Sequence, residues 1–135
     1  MTERRQPSTR GVQRNRREIG KHAEQQAEQH ITQMGWTVVE RNWRCRQGEL
    51  DLIARDGEWW VFIEVRSRTE GGSFGTAREA IDVRKQQQVR AIVEQYIHRT
   101  RLYEAKIRCD AIIITYPKQG DGDTVLELEH IEHAF

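Results

Sequence analysis

Asp51, Glu64 and Arg66 stand in two short apolar runs, GELDLIARD and WWVFIEVRSR, separated by a tight-turn signal at Asp56-Gly57. Two carboxylates with a cation two residues beyond the second are the groups that hold a divalent ion and a phosphate together. Asp-Gly between such runs predicts a hairpin. A Gly57-Glu58 loop sets Asp51 opposite Glu64, whereas an Asp56-Gly57 loop sets Glu49 opposite Glu64 and Asp51 opposite Phe62. Either register keeps Asp51, Glu64 and Arg66 on one face, because strand side chains alternate with period two.

Facing like charges destabilise a sheet unless something compensates them. Mg²⁺ takes oxygen ligands and keeps several waters, so converging carboxylates suit it. Such an ion polarises a phosphodiester and acidifies a bound water. Arg66 would hold a phosphate oxygen or orient the attacking water. The plainer alternative is that Arg66 bridges both acids, or that all three are solvated. Against solvation, Ile53 and Phe62 share the charged face, while Leu50, Leu52, Ala54, Val61, Ile63 and Val65 make the other apolar. Both faces are then covered, and the charges belong in a cleft at an edge or end of the sheet. Arg66 satisfies one carboxylate well; two, or three with Glu49, leave a deficit that a metal removes.

The elements that must carry these residues follow from periodicity. Apolar positions Ile19, Ala23, Ala27, Ile31 and Met34 predict a helix over 17–34, ended by Gly35. Strands are expected at 36–46, 49–55 and 59–66. A loop bearing Gly71, Gly72 and Gly75 leads to a second helix over 76–99, with Val89, Ile92, Val93, Tyr96 and Ile97 as its stripe. An apolar strand at 108–116 ends before Pro117, and 125–129 adds a short edge strand. Helix, three strands, helix and one or two strands predict an α/β fold, a central mixed sheet with helices packed over it.

Composition sets wider bounds. A chain of 135 residues with 36% hydrophobic content suits one domain and one core. Net charge is +1, so the total carries no bulk attraction to polyanions. Its distribution is uneven: residues 1–17 hold six arginines against Glu3, and residues 119–135 hold five acids and no Lys or Arg. The expected organisation is a basic disordered arm over 1–14 and one domain over 15–135. Cys45 and Cys109 lack metal-ligand spacing and read as free thiols in strands. No apolar run approaches a membrane span or a signal-peptide core, and a cytoplasmic location is expected.

Arg41, Arg44, Arg46 and Arg68, with Arg55 and Arg66, give the sheet region a positive character that the total hides. They form a candidate phosphate track whose binding would fall steeply with salt and read backbone rather than base. Trp36 and Trp43 read as core. Trp59 and Trp60 point to opposite faces, leaving one as a contact for nucleic acid or a second subunit. Asp82 reads as a helix-surface acid near Lys85.

The segments GKHAEQQAEQHITQMGWTVVERNWRCRQGELDLIARDG, VFIEVRSR and EAIDVRKQQQV also resemble the bacterial YraN-type family, whose proteins are uncharacterised or endonuclease-like. Beneath that, they are similar to the PD-(D/E)XK nuclease superfamily, which includes archaeal Holliday junction resolvases. The resemblance implies a restriction-endonuclease-like fold with Asp51 and Glu64 as metal ligands and Arg66 in the place of the motif lysine. It implies a helical glutamate at Glu24 and offers Lys85 on the helix after the loop. The activity it implies is Mg²⁺- or Mn²⁺-dependent hydrolysis of DNA, including branched DNA, often by a homodimer. Arginine keeps its proton at any relevant pH and cannot be a general base, so Arg66 separates fold from activity. The alternatives are an inactive nucleic-acid-binding protein of the same fold, or a protein–protein adaptor using the acidic C-terminal segment and the aromatic hairpin.

Overall fold

In the computed structural model, the described residues are 15–71 and 82–135. The basic arm expected over 1–14, most of the glycine loop, and positions 76–81 of the second expected helix lie outside them. The elements run α1 (Arg16–Gln33), β1 (Thr37–Cys45), β2 (Gly48–Asp56), β3 (Trp59–Thr69), α2 (Val83–Thr100), β4 (Lys106–Tyr116) and β5 (Glu127–Ile131).

Helix α1 starts where its end groups are satisfied. Asn15 Oδ1 accepts from the Glu18 backbone N–H at 2.8 Å, and Glu18 Oε1 accepts from the Asn15 N–H at 3.3 Å. This reciprocal cap satisfies two otherwise orphaned donors. The buried face is Ala23, Ala27 and Ile31, spaced four apart. Two alanines in that stripe let the helix backbone approach the sheet, which brings Glu24 on the adjoining face close to the strands. Helix α2 is capped by Asp82, whose Oδ1 accepts from Lys85 N–H at 2.8 Å. Asp82 is therefore a cap rather than a plain surface acid, and it fixes the turn that carries Lys85. The α2 stripe Val89, Ile92, Val93 and Tyr96 is buried as expected.

The five strands lie in the order β1-β2-β3-β4-β5. Only β3 and β4 are parallel among the described pairings, and α2 makes the crossover that parallel neighbours require. The sheet carries a core on each face. One holds Ala23, Ala27 and Ile31 of α1 over Leu52, Ala54, Val61 and Ile63; the other holds Val89, Ile92, Val93 and Tyr96 of α2 over Leu50, Ile53 and Phe62. Trp59 packs with the first and Trp60 with the second, both half-buried.

The β2–β3 loop is Gly57-Glu58, with Asp56 paired to Trp59. This selects the register that sets Asp51 towards Glu64. The ladder nevertheless ends at Leu52 and Ile63. Beyond that pair, Asp51 Oδ2 accepts from the Val65 backbone N–H at 2.8 Å. A carboxylate thus replaces a main-chain acceptor where β2 and β3 stop pairing, while β3 stays hydrogen-bonded to β4 on its other side.

Strict alternation fails at this point. Leu50 packs with Ile53 and Phe62 under α2, not with Leu52 under α1. Residues three apart cannot share a face of a regular strand, so β2 turns over across Asp51 and Leu52. The single charged face expected from period two is corrected accordingly: Asp51 lies in the gap and lines a cleft beside α1. Gly48, at φ +140°, permits the close seat of α2 on this end, since a Cβ there would lie 2.7 Å from Gln88 Nε2 and 3.2 Å from Ile92 Cδ1.

The fourth strand also differs from its apolar reading. Arg108 and Asp110 are 7% and 0% exposed. Their charge is carried by a network described below. No helix among the described residues is long and apolar enough to cross a membrane.

Candidate functional site

The gap between β2 and β3 collects acids from three elements. Glu64 is 5% exposed, and its Oε2 lies 2.8 Å from Lys85 Nζ. Lys85 Nζ also reaches Gln88 Oε1 at 3.4 Å. The structure therefore brings Lys85 into the site from α2. Among the described residues, Arg66 makes no direct ion pair; it is half-buried and acts on Glu64 through charge alone. The plainer alternative, a bridge from Arg66 to both acids, is not what the described residues form; Glu64 pairs with Lys85 instead.

Burial pushes the Asp51 carboxyl up to about 7, and the charges of Glu24 and Glu49 add to it against the opposing Val65 N–H. Burial likewise pushes Glu64 up to about 7, helped by the Asp51 charge and opposed by Lys85 and then Arg66. Glu24 is also raised, chiefly by burial. The Glu24 and Asp51 carboxyls lie close enough to interact through a hydrogen bond as well as through charge. Three acids in mutual repulsion, with one paired lysine, hold more negative charge than the protein neutralises.

Glu24 and Asp51 line a cleft of about 270 Å³, together with Lys21, Gln25, Glu28, Arg41 and Asn42. Arg41 sits at its rim, where Nε donates to Glu28 Oε1 at 2.8 Å. That hydrogen bond holds Glu28 below its ordinary value. Arg44 Nε lies 3.4 Å from Glu49 Oε2, while Arg46 is exposed in the β1–β2 turn. Arg68 is partly buried on β3. Arg41 and Arg44 are thus paired on the surface, where such pairs are worth about 0–1 kcal/mol. A phosphate can exchange for either carboxylate at little cost. On the hairpin, the Arg55 guanidinium stacks over the Trp60 ring at 4.6 Å.

Fit to a metal depends on the donor set. Among the described residues no three His, Cys, Asp or Glu side chains form a ready cage. Mg²⁺ does not require one, since one or two carboxylates and retained waters suffice. Asp51 and Glu64 are hard oxygen donors beside an uncompensated acid excess, and that chemistry fits.

A second charged network was not legible beforehand. Arg108 Nε donates to Asp110 Oδ1 at 3.0 Å and Nη2 to Oδ2 at 3.1 Å. His130 Nε2 meets Asp110 Oδ2 at 2.8 Å, and His130 Nδ1 meets His30 Nε2 at 3.0 Å. Burial alone would raise Asp110, but its bonds to His130, Arg108 and the His133 N–H outweigh it and hold the carboxyl low. The Arg108 guanidinium also stacks on Trp36 at 5.1 Å. The one signal available was the period-two spacing of Arg108 and Asp110; nothing marked His30 or His130 as their partners. The network ties α1 to β4 and β5 and is satisfied internally, as a structural ion pair must be.

A mixed five-stranded sheet with two helices, and buried acids where two strands part, define an α/β protein consistent with a restriction-endonuclease-like fold. The chain belongs to the uncharacterised protein family UPF0102, whose family model matches residues 23–114. That span includes Glu24, Asp51, Glu64, Arg66 and Lys85. A UPF0102 protein of Rhodococcus opacus (strain B4) is 35% identical over 117 residues, covering 87% of this chain and 95% of its own. One from Carboxydothermus hydrogenoformans is 42% identical over 98 residues, covering 73% and 82%. One from Hahella chejuensis is 46% identical over 96 residues, covering 71% and 77%.

Proposed function

We propose that this protein is a metal-dependent DNA endonuclease acting on branched or otherwise irregular DNA. The observation that carries the reading is the placing of Asp51 and Glu64 at the parting of β2 and β3, where burial raises both to about 7, helped by the charges of Glu24 and Glu49 at Asp51 and by the Asp51 charge at Glu64. Asp51 and Glu64 would hold Mg²⁺ or Mn²⁺. When bound, the ion supplies positive charge to a phosphodiester and lowers the pKa of a water. Glu24, sharing a hydrogen bond with Asp51, orients that carboxylate and accepts a proton at its own oxygen. Arg66 binds a phosphate oxygen; it cannot take a proton. Lys85 on α2 brings a second cation beside Glu64, and unlike Arg66 in the motif lysine's place it is able to give up a proton. The rim arginines Arg41, Arg44, Arg46 and Arg68 hold the DNA backbone.

The presence of arginine in the lysine position favours one other reading, a nucleic-acid-binding protein of this fold without hydrolysis. Four-way, flapped, single-stranded and linear DNA, each with Mn²⁺ or with chelator, distinguish the two. Cleavage of the branched forms is expected, lost by at least about a hundredfold in D51A and E64A with DNA binding retained. Salt-sensitive binding with no product on any substrate would sink the hydrolytic reading. Absence of DNA binding would leave the adaptor.

A further inference from the structure

Asn42 combines two features in the middle of β1. Its φ is +51°, and among the described residues it is the only non-glycine strand position with a positive φ. Asparagine tolerates this left-handed conformation better than most side chains. The flanking pairs are Arg41 with Leu52 and Trp43 with Leu50, so Asn42 falls across from Asp51. The sidedness of β2 changes over this same stretch, with Leu50 under α2 and Leu52 under α1. With its amide nitrogen turned to the acids, Asn42 donates to Glu24 Oε1 at 3.3 Å and to Glu49 Oε2 at 3.2 Å. Asn42 also lines the cleft with Glu24 and Asp51.

Both features bear on where the acids point. The left-handed residue in β1 accompanies the turn in β2 that presents Asp51 to the gap. The amide has two N–H donors and no charge, so it gathers two repelling carboxylates without cancelling them. A lysine or arginine there would neutralise the acids and compete with a divalent cation. We propose that Asn42 is a positioning residue of the candidate site: its backbone turn and its amide together hold Glu24 and Asp51 in the arrangement that receives a divalent cation. This rests on the metal reading of the site for its purpose, but the positioning itself is observable without metal.

The Val65 N–H, which donates to Asp51 Oδ2 at 2.8 Å, reports the orientation of that carboxylate. Its chemical shift and hydrogen exchange are followed by ¹H–¹⁵N NMR in the wild-type chain and in Asn42→Gly and Asn42→Ser. Glycine accepts the backbone angle and removes the amide. Serine adds no charge and is too short to bridge two carboxylates, so it decides the matter if the glycine variant does not fold. The expected result is a shifted Val65 amide that exchanges at least tenfold faster, while Ile63 and other core amides are unchanged. Mn²⁺ titration of the same samples should show affinity weakened about tenfold or more, the loss typical for removing a partner that orients a ligand. A Val65 amide unmoved in the folded variants, or Mn²⁺ bound as tightly as by wild type, would overturn the proposal. A wild-type chain that binds no Mn²⁺ while Val65 moves in the variants would instead sink the metal reading and uphold Asn42's positioning role.

Discussion

Removing the negative charge of Asp51 should make the protein more stable at pH 8 while abolishing its candidate function. The folded-state carboxyl is raised to about 7 from an ordinary 3.8, first by burial. A folded state that holds the proton more tightly has its associated stability fully present below about pH 4. That stability is lost as pH rises through 7. Glu64, also at about 7, acts in the same direction. Wild-type stability should therefore fall between pH 5 and pH 8. Asp51→Asn keeps a carbonyl to accept the Val65 N–H and removes the charge. It should gain a few kcal/mol, as an order of magnitude, at pH 8 and little at pH 4. Denaturant unfolding at several pH values measures both. A variant no more stable than wild type at pH 8 would show that Asp51 is not held against its charge. Residues that destabilise the fold in their ionised form are common at functional sites, where a ligand recovers the cost.

Asp110→Ala should produce the opposite and larger change. Asp110 is 0% exposed and receives both Arg108 nitrogens, His130 and the His133 N–H. Truncation leaves the Arg108 guanidinium, 7% exposed, without its close partner; Asp56 at 3.8 Å and Glu132 at 4.0 Å lie farther off. Breaking a buried pair from one side costs about 3–5 kcal/mol. That is a large part of the 5–15 kcal/mol typical of a whole domain, as an order of magnitude. Replacing Arg108 and Asp110 together by leucine should cost less than the single change, because no buried charge is stranded. Equilibrium unfolding of the three chains tests this. A single variant within about 1 kcal/mol of wild type would mean that the network is not a structural tie.

Much of the fold was legible because its signals are local. Asp56-Gly57 marked the hairpin, the four-residue spacing of Ala23, Ala27 and Ile31 marked α1, and apolar runs marked the strands. The Gly57-Glu58 register was one of two readings open to the sequence. The turnover of β2 was not legible, since period-two alternation assumes regular strands and a left-handed residue, Asn42, stands in β1 opposite the irregular stretch. Strict alternation therefore put Leu50 on the wrong side and all the charges on one face. The Asp82 cap was missed for a related reason: the expected helix began at residue 76, so Asp82 was read as interior. Of the site residues, Glu24, Asp51, Glu64 and Lys85 come together. Arg66 stands apart from direct pairing, and Arg41 and Arg44 are held by Glu28 and Glu49. The Arg108–Asp110–His130–His30 chain joins residues up to 100 positions apart, and no local pattern links them.

The acid excess between β2 and β3 is proposed to be a divalent-cation site. Calorimetric titration of the wild-type chain with Mn²⁺ at pH 8, beside Asp51→Asn and Glu64→Gln, tests it most directly. Saturable binding to the wild type is expected, with loss of that binding in both variants. Binding that survives both substitutions, or no binding by the wild type at millimolar Mn²⁺, would contradict it.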